Sequence, residues 1–221
     1  MAARVIAVVN QKGGAGKTTI SMNVAGSLAK RGHKVLVVDA DPQGTATRWA
    51  ASAEDDKLFP ASVVGLSAAT TKVHREVKKF LDDYEWIVID CPPAADSPVP
   101  QSALLIADLA VVPLIPSPLD MWAAVGIREA ILNVSSINEA LQARLVFNQY
   151  QQNTSLAKEA LEILSEFGIE LCDTRIGSRQ VYRQSAVFGH TVHDFGSKAK
   201  EAIEEIEGLT DELLSVIESA K

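Results

Sequence analysis

The stretch of this 221-residue chain whose residue types most plainly do chemistry is Asn10-Gln-Lys-Gly-Gly-Ala-Gly-Lys-Thr-Thr19. Gly13, Gly14 and Gly16 lack the Cβ that would stop backbone N–H groups from turning towards an anion, and a helix beginning directly after them adds the positive end of its dipole. Gly13, Gly14, Ala15, Gly16, Lys17, Thr18 and Thr19 are therefore the expected lining of a phosphate cradle. Lys17 suits the β and γ phosphates of a nucleotide, and the Thr18 hydroxyl suits Mg2+. The usual G-x-x-x-x-G-K-S/T spacing is not met: Gln11 stands where its first glycine would be, and a second lysine, Lys12, follows. Two carboxylate-bearing turns come after short apolar runs, Asp39-Ala-Asp41-Pro42-Gln43-Gly44 behind Val35 to Val38 and Asp90-Cys-Pro-Pro93 behind Ile87 to Ile89. Asp90 is placed to hold a water coordinated to Mg2+, Asp41 to orient an attacking water, and Asp39 to support the metal from outside its direct ligands. The plainer use of Asp39 and Asp41, shaping the turn before Pro42, stays open.

These groups need elements that bring them to one edge. Short β-branched runs recur at Val5 to Val9, Val35 to Val38, Ile87 to Ile89, Leu109 to Leu114 and Leu145 to Phe147, with helical patterns between them. That alternation predicts a doubly wound α/β domain: a buried, mostly parallel sheet with helices on both faces. With the phosphate loop set between its first strand and first helix, the expected class is a P-loop NTPase. Ligands of such sheets bind at the C-terminal ends of the strands, where Asp39, Asp41 and Asp90 fall. Ile20, Val24 and Leu28 give the first helix its apolar stripe, and Gly32 suits its left-handed cap. Further helices are expected over about Thr71 to Asp82, around Leu156, Ala160 and Leu164 behind a Thr154/Ser155 cap, and at the C-terminal end through Ala199, Ile203, Ile206, Leu213 and Ile217. Without a linker or repeat, residues 1–221 read as one domain.

Composition narrows the class. The net charge of −7 means that the molecule as a whole repels phosphate polymers and acidic membranes, so any nucleic-acid contact must be a local patch. Cys91 and Cys172 lie far apart without C-x-x-C spacing, which suggests neither a disulfide framework nor a zinc ribbon and fits a reducing cytoplasm. Uncharged runs such as Ser97 to Ala107 and Leu109 to Leu119 contain prolines, and the longest, the 14 residues from Leu58 to Thr71, falls short of the roughly 20 residues of a membrane helix.

Lys12 to Thr19, Val37 to Gly44 (VVDADPQG) and Val88 to Pro93 (VIDCPP) together resemble the ParA/MinD family of deviant Walker ATPases, with a weaker echo through Val111 to Asp120 and Thr174 to Val192. The resemblance implies ATP and Mg2+ as ligands and slow, adaptor-stimulated hydrolysis. It makes Lys12 the signature lysine, which reaches the partner's nucleotide when two molecules sandwich two ATPs. A cation delivered in trans to developing phosphoryl charge acts like an arginine finger, which makes Lys12, Lys17 and Asp41 the expected catalytic set. Asn148 resembles the family's base-contacting position.

The branch of the family is read by subtraction. Membrane-binding relatives end in a basic amphipathic helix, whereas Glu201 to Lys221 holds seven acids and one lysine, so no membrane partner is expected. Iron–sulfur relatives need an interfacial cysteine pair, and relatives that repress transcription carry an N-terminal helix-turn-helix; neither is expected here. Asp173 to Lys200 holds three Arg and two Lys against two Asp, a local +3. Arg179 and Arg183, four apart, are expected to share one helix face. The resemblance implies non-specific binding of double-stranded nucleoid DNA through this region, with Arg175, Arg179, Arg183, Lys198 and Lys200 as candidates and a solvated helix face as the alternative. His190 and His193 are read as ordinary loop residues.

The leading expectation is a cytoplasmic, nucleoid-associated ParA-type ATPase. It would form a homodimer with ATP, answer to a small adaptor of the ParB or McdB type, and segregate or position a plasmid, a carboxysome-like organelle or a chemoreceptor cluster. The alternatives are an ATP-dependent small-molecule ligase and a nucleotide-gated binding module without significant turnover.

Overall fold

The computed structural model describes residues 2–93, 97–151, 164 and 167–219. Six strands, β1 (Arg4–Val8), β2 (Val35–Asp39), β3 (Ser62–Gly65), β4 (Trp86–Asp90), β5 (Leu109–Leu114) and β6 (Gln142–Phe147), form one sheet in the order β3-β2-β4-β1-β5-β6. Each pair of neighbours runs parallel. The β-branched runs follow from burial on both faces: Val5, Ala7 and Val9 point into one core, Ile6 and Val8 into the other.

Eight helices are described: α1 (Lys17–Lys30), α2 (Thr45–Ala51), α3 (Val73–Val77), α4 (Val99–Leu104), α5 (Pro118–Ala123), α6 (Val125–Ser135), α7 (Gln180–Phe188) and α8 (Lys200–Ser219). Ile20, Val24 and Leu28 of α1 share a core with Ile206, Leu213 and Ile217 of α8. The opposite face is covered by α3, α4 and α6 through Val77, Leu104, Ile127 and Ile131. Each such side chain contributes about 1.5–3 kcal/mol on full burial. Gly32 takes the left-handed conformation expected of it at φ 94°, and His33 N–H donates to Leu28 O at 3.2 Å, closing the end of α1.

That same end of α1 is fastened to α8. Ser27 Oγ donates to Glu207 Oε1 at 2.6 Å, and Arg31 pairs with Asp211 at 2.6 Å as well as with Glu207. Asn23 Oδ1 accepts from Val192 N–H at 3.0 Å, and a Cβ on Gly26 would stand 2.2 Å from Thr191 Cγ2, so the 191–192 segment approaches α1 closely.

Two elements differ from expectation. Strand β3 is not announced by the sequence, because Ser62 and Gly65 are exposed and Val63 and Val64 only half-buried at the sheet edge. The helix expected over Thr71 to Asp82 is α-helical only in α3, with 3-10 turns at Ser67–Lys72 and Lys78–Phe80 on either side. Val73 and Val77 are buried and Lys72, Arg75, Lys78 and Lys79 exposed, so the segment is amphipathic although its α-helical extent is shorter than expected. The helix expected around Leu156 and Ala160 lies outside the described residues apart from Leu164, which is buried.

In register, Asp39 of β2 and Val8 of β1 both stand beside Asp90 of β4. The turns leaving these three strands therefore converge on one edge.

Candidate functional site

The loop after β1 is fixed from behind. Asn10 Nδ2 donates to Pro113 O at 2.6 Å, and its Oδ1 accepts from Lys12 N–H at 3.0 Å. Gly14 at φ 76° and Gly16 at φ 93° occupy left-handed backbone that side chains resist. Gly16 is also the N-cap of α1 and offers no side-chain cap, so the first N–H groups of the helix face the cleft unengaged by a capping side chain. Asn148, at the end of β6, donates from Nδ2 to Ala15 O at 2.8 Å, and Gln149 Nε2 donates to Gly14 O at 3.0 Å. A Cβ on Gly16 would lie 1.8 Å from Asn148 Nδ2. Asn148 thus closes the cradle from the far side.

Lys17 Nζ reaches back to Lys12 O at 3.1 Å. Burial holds its pKa below that of a free lysine, opposed by the charge of Asp90. Thr18 Oγ1 donates to Asp90 Oδ2 at 2.7 Å and Ser21 Oγ to Asp90 Oδ1 at 3.0 Å. Asp90 is fully enclosed, and its pKa is pushed up to about 7, first by burial and further by the charge of Asp39, with the two hydroxyls pulling it down. A cation beside Thr18 would supply the positive charge this carboxylate lacks.

Asp39 and Asp41 divide their tasks. Asp39 Oδ2 accepts from both the N–H and the hydroxyl of Thr47 at 2.8 Å, and its Oδ1 accepts from Asp41 N–H at 3.2 Å, so it braces the turn into α2 while adding negative field beside Asp90. Asp41 accepts from Gln43 N–H at 2.8 Å and is half-buried on the cleft wall. The cleft holds about 510 Å³. Gly13, Gly14, Gly16, Lys17, Thr18, Thr19 and Asp41 line one side; Asn148, Gln149, Tyr182 and Arg183 line the other.

Lys12 does not line this cleft. Its Nζ pairs with Asp120 Oδ1 at 2.8 Å. Asp120, 5 % exposed, is the third residue of α5, where Ser117 caps the helix and its hydroxyl donates to Asp120 Oδ2. Sequence reading passed over Asp120, although Ser117-Pro-Leu-Asp120 carries the spacing of a capping box. It also passed over Gln149 and Tyr182.

The basic candidates do not form the surface expected. Arg179 is not on one helix face with Arg183. It precedes α7 at φ −121°, ψ 142°, and its guanidinium pairs with Glu205 at 2.6 Å and with Glu201. Arg183 is exposed on the cleft wall. Arg175 stacks on Tyr150 with its guanidinium carbon 4.9 Å from the ring centre, Lys200 lies 3.8 Å from Glu204, and Lys198 is exposed. The local +3 counted along the chain is offset in space by α8, which brings acids from outside the counted segment. His193 pairs with Glu207 at 2.7 Å, a structural contact.

The domain family described as CobQ/CobB/MinD/ParA nucleotide binding domain matches residues 6–192. The chain is 33 % identical over 211 residues, 95 % of both chains, to the maintenance of carboxysome distribution protein A of Halothiobacillus neapolitanus. Its identity to the protein of the same name from Gloeobacter kilaueensis is 32 % over 212 residues, 95 % of this chain and 94 % of the relative. An ATP complex of Cyanothece McdA superposes with a TM-score of 0.74 at 17 % identity, covering 96 % of each chain, a likeness of fold.

Proposed function

Because the chain belongs to the CobQ/CobB/MinD/ParA nucleotide-binding family, we propose that it is a ParA-type ATPase that positions a large cargo, a carboxysome-like protein organelle being the leading case. The reading is carried by the convergence of Lys17, Thr18 and Asp41 on one cleft, with the buried Asp90 behind Thr18 and a second loop lysine, Lys12, held outside the cleft. Two relatives aligned along nearly the whole chain are named for carboxysome distribution, which favours that cargo over a plasmid.

The residues present fit ATP and Mg2+. Gly14, Gly16 and the first turn of α1 offer N–H groups to the phosphates, Lys17 neutralises their charge, and the Thr18 hydroxyl with Asp90 behind it would hold the metal. Mg2+ supplies charge compensation at the phosphates. Asp41 orients the attacking water from the cleft wall. Lys12 acts on the nucleotide of a second copy, where its ammonium stabilises the charge that develops as the terminal phosphoryl leaves. Two copies facing each other also cover Leu119 and Trp122, apolar side chains 68 % and 64 % exposed on either side of Asp120 in sequence.

The dimer binds nucleoid DNA without sequence preference through Arg183, Arg175, Lys198 and Lys200, the expected cations other than Arg179, which two carboxylates already hold, and dimerisation doubles a weak patch. A small adaptor on the cargo stimulates hydrolysis and release in the cytoplasm. Among the described residues no helix is long and apolar enough to cross a membrane.

The test combines light scattering with turnover. With a non-hydrolysable ATP analogue the chain should dimerise. Lys12→Ala should bind the analogue but remain monomeric and lose adaptor-stimulated hydrolysis; wild-type dimerisation and turnover in that variant would overturn the mechanism. In the host, deletion should collapse the spacing of fluorescent shell-protein foci, and unaltered spacing would remove the organelle as cargo.

A further inference from the structure

The contact between Lys12 and Asp120 has the geometry of a parking place. The lysine that the proposed reaction needs at a second molecule's nucleotide is engaged within its own chain, 2.8 Å from a carboxylate oxygen. The two partners are unequally exposed: Lys12 is 39 % accessible at its side chain and Asp120 only 5 %. The cation can leave for another partner, whereas the anion stays behind. Asp120 is fixed from the other side by Ser117, whose hydroxyl donates to its second oxygen and accepts from its N–H at 3.2 Å. Gln11, the residue before Lys12, packs against the same segment: a Cβ on Gly126 would fall 2.2 Å from Gln11 Nε2. The start of the phosphate loop is thus held at two adjacent points by the α5–α6 region.

We propose that Asp120 is a positioning residue that retains Lys12 in cis and so raises the threshold for ATP-dependent dimerisation. The inference rests on the reading of Lys12 as the trans-acting lysine. Releasing Lys12 leaves a buried carboxylate without its counter-ion, a cost that the triphosphate of the opposing copy must exceed. A nucleoside diphosphate, with less charge at the place where Lys12 would arrive, exceeds it less readily. The pair therefore separates a monomer that has bound nucleotide from one that is ready to dimerise, and it links that step to α5, whose outer side chains Leu119 and Trp122 are exposed.

Asp120→Asn removes the charge and keeps the shape. It should tighten the ATP-analogue dimer about tenfold by light scattering, raise adaptor-free turnover, and leave the affinity of the monomer for ADP unchanged. Asp120→Glu should restore the wild-type dimer constant, and Ser117→Ala, which removes the cap but not the ion pair, should stay closer to wild type than to Asp120→Asn. An unchanged or weakened dimer in an Asp120→Asn protein of normal melting temperature would overturn the proposal. A measurement on the wild type keeps the idea testable should Asp120→Asn fold poorly. In the ADP state, competitive acetylation read by mass spectrometry should label Lys12 more slowly than exposed Lys198, and equal rates would refute the retention. Should Lys12→Ala dimerise and turn over normally, the trans-acting role itself fails; should Lys12→Ala be inert while Asp120→Asn matches wild type, only the parking fails.

Discussion

Gly16→Ala tests the closure of the phosphate cradle quantitatively. Gly16 sits at φ 93°, and a Cβ there would lie 1.8 Å from Asn148 Nδ2. Two costs follow. Holding an L-residue in left-handed backbone costs about 1–2 kcal/mol. Driving Asn148 away breaks its 2.8 Å bond to Ala15 O, a further loss of about 1 kcal/mol. The sum, about 2–3 kcal/mol, corresponds to a fall of roughly 4–12 °C in Tm for a chain of this size. Calorimetry of the nucleotide-free protein measures it, and the stabilisation that ATP and Mg2+ give the wild type should disappear, since the displaced loop no longer aims its N–H groups at the phosphates. In the Asn148→Ala background the same substitution should cost only its backbone part, a coupling of about 1 kcal/mol in a double-mutant cycle. Equal melting of Gly16→Ala and wild type, or strict additivity with Asn148→Ala, would refute the reasoning.

Asp90, with a pKa of about 7 in the fold against 3.8 for the free carboxyl, binds a proton more tightly folded than unfolded, so metal- and nucleotide-free protein should lose stability as pH rises from about 4 to about 7. The loss is up to about 4 kcal/mol; Asp90→Asn should flatten that part of the profile in chemical denaturation and forfeit the stabilisation by ATP and Mg2+. Asp194 behaves oppositely. Its pKa is lowered to about 2 although burial alone would raise it, because Thr191 and Lys30 bond to the carboxylate, so its contribution is present above about 4 and disappears as pH falls towards 2. Asp194→Asn should cost about 2 kcal/mol near neutrality, with the difference from wild type closing in acid. For DNA retention measured against salt, Arg183→Glu and Lys198→Glu should weaken binding and reduce the salt slope. Arg179→Glu should do so less, because that guanidinium is already paired with Glu201 and Glu205; a larger effect at Arg179 would mean that DNA displaces those carboxylates.

The cradle and its acids were legible because their chemistry is written locally. Three glycines, Lys17 and Thr18 between a β-branched run and an apolar helix stripe admit few other uses, and an Asp closing a buried parallel strand reaches the ligand edge by topology alone. What could not be read comes from elements meeting in space. The acids that occupy Arg179 lie on α8, outside the segment whose charge was counted, and the partner of Lys12 lies at the start of α5. The edge strand β3 has too little buried apolar surface to leave a pattern. Asn148 is expected at the base by resemblance alone, and its bond to Ala15 O adds a mechanical role in the cradle that no local pattern announces.

The fastening of α1 has a consequence for communication across the fold. This helix meets the phosphates with its first turn and grips Glu207 and Asp211 with its last, through Ser27 and Arg31. Its 14 residues make a rod of about 21 Å, and a tilt of about 5° at one tip sweeps the other through about 2 Å. No proline interrupts the rod, so a displacement of its first turn would be carried along it towards the acidic helix beside the arginines.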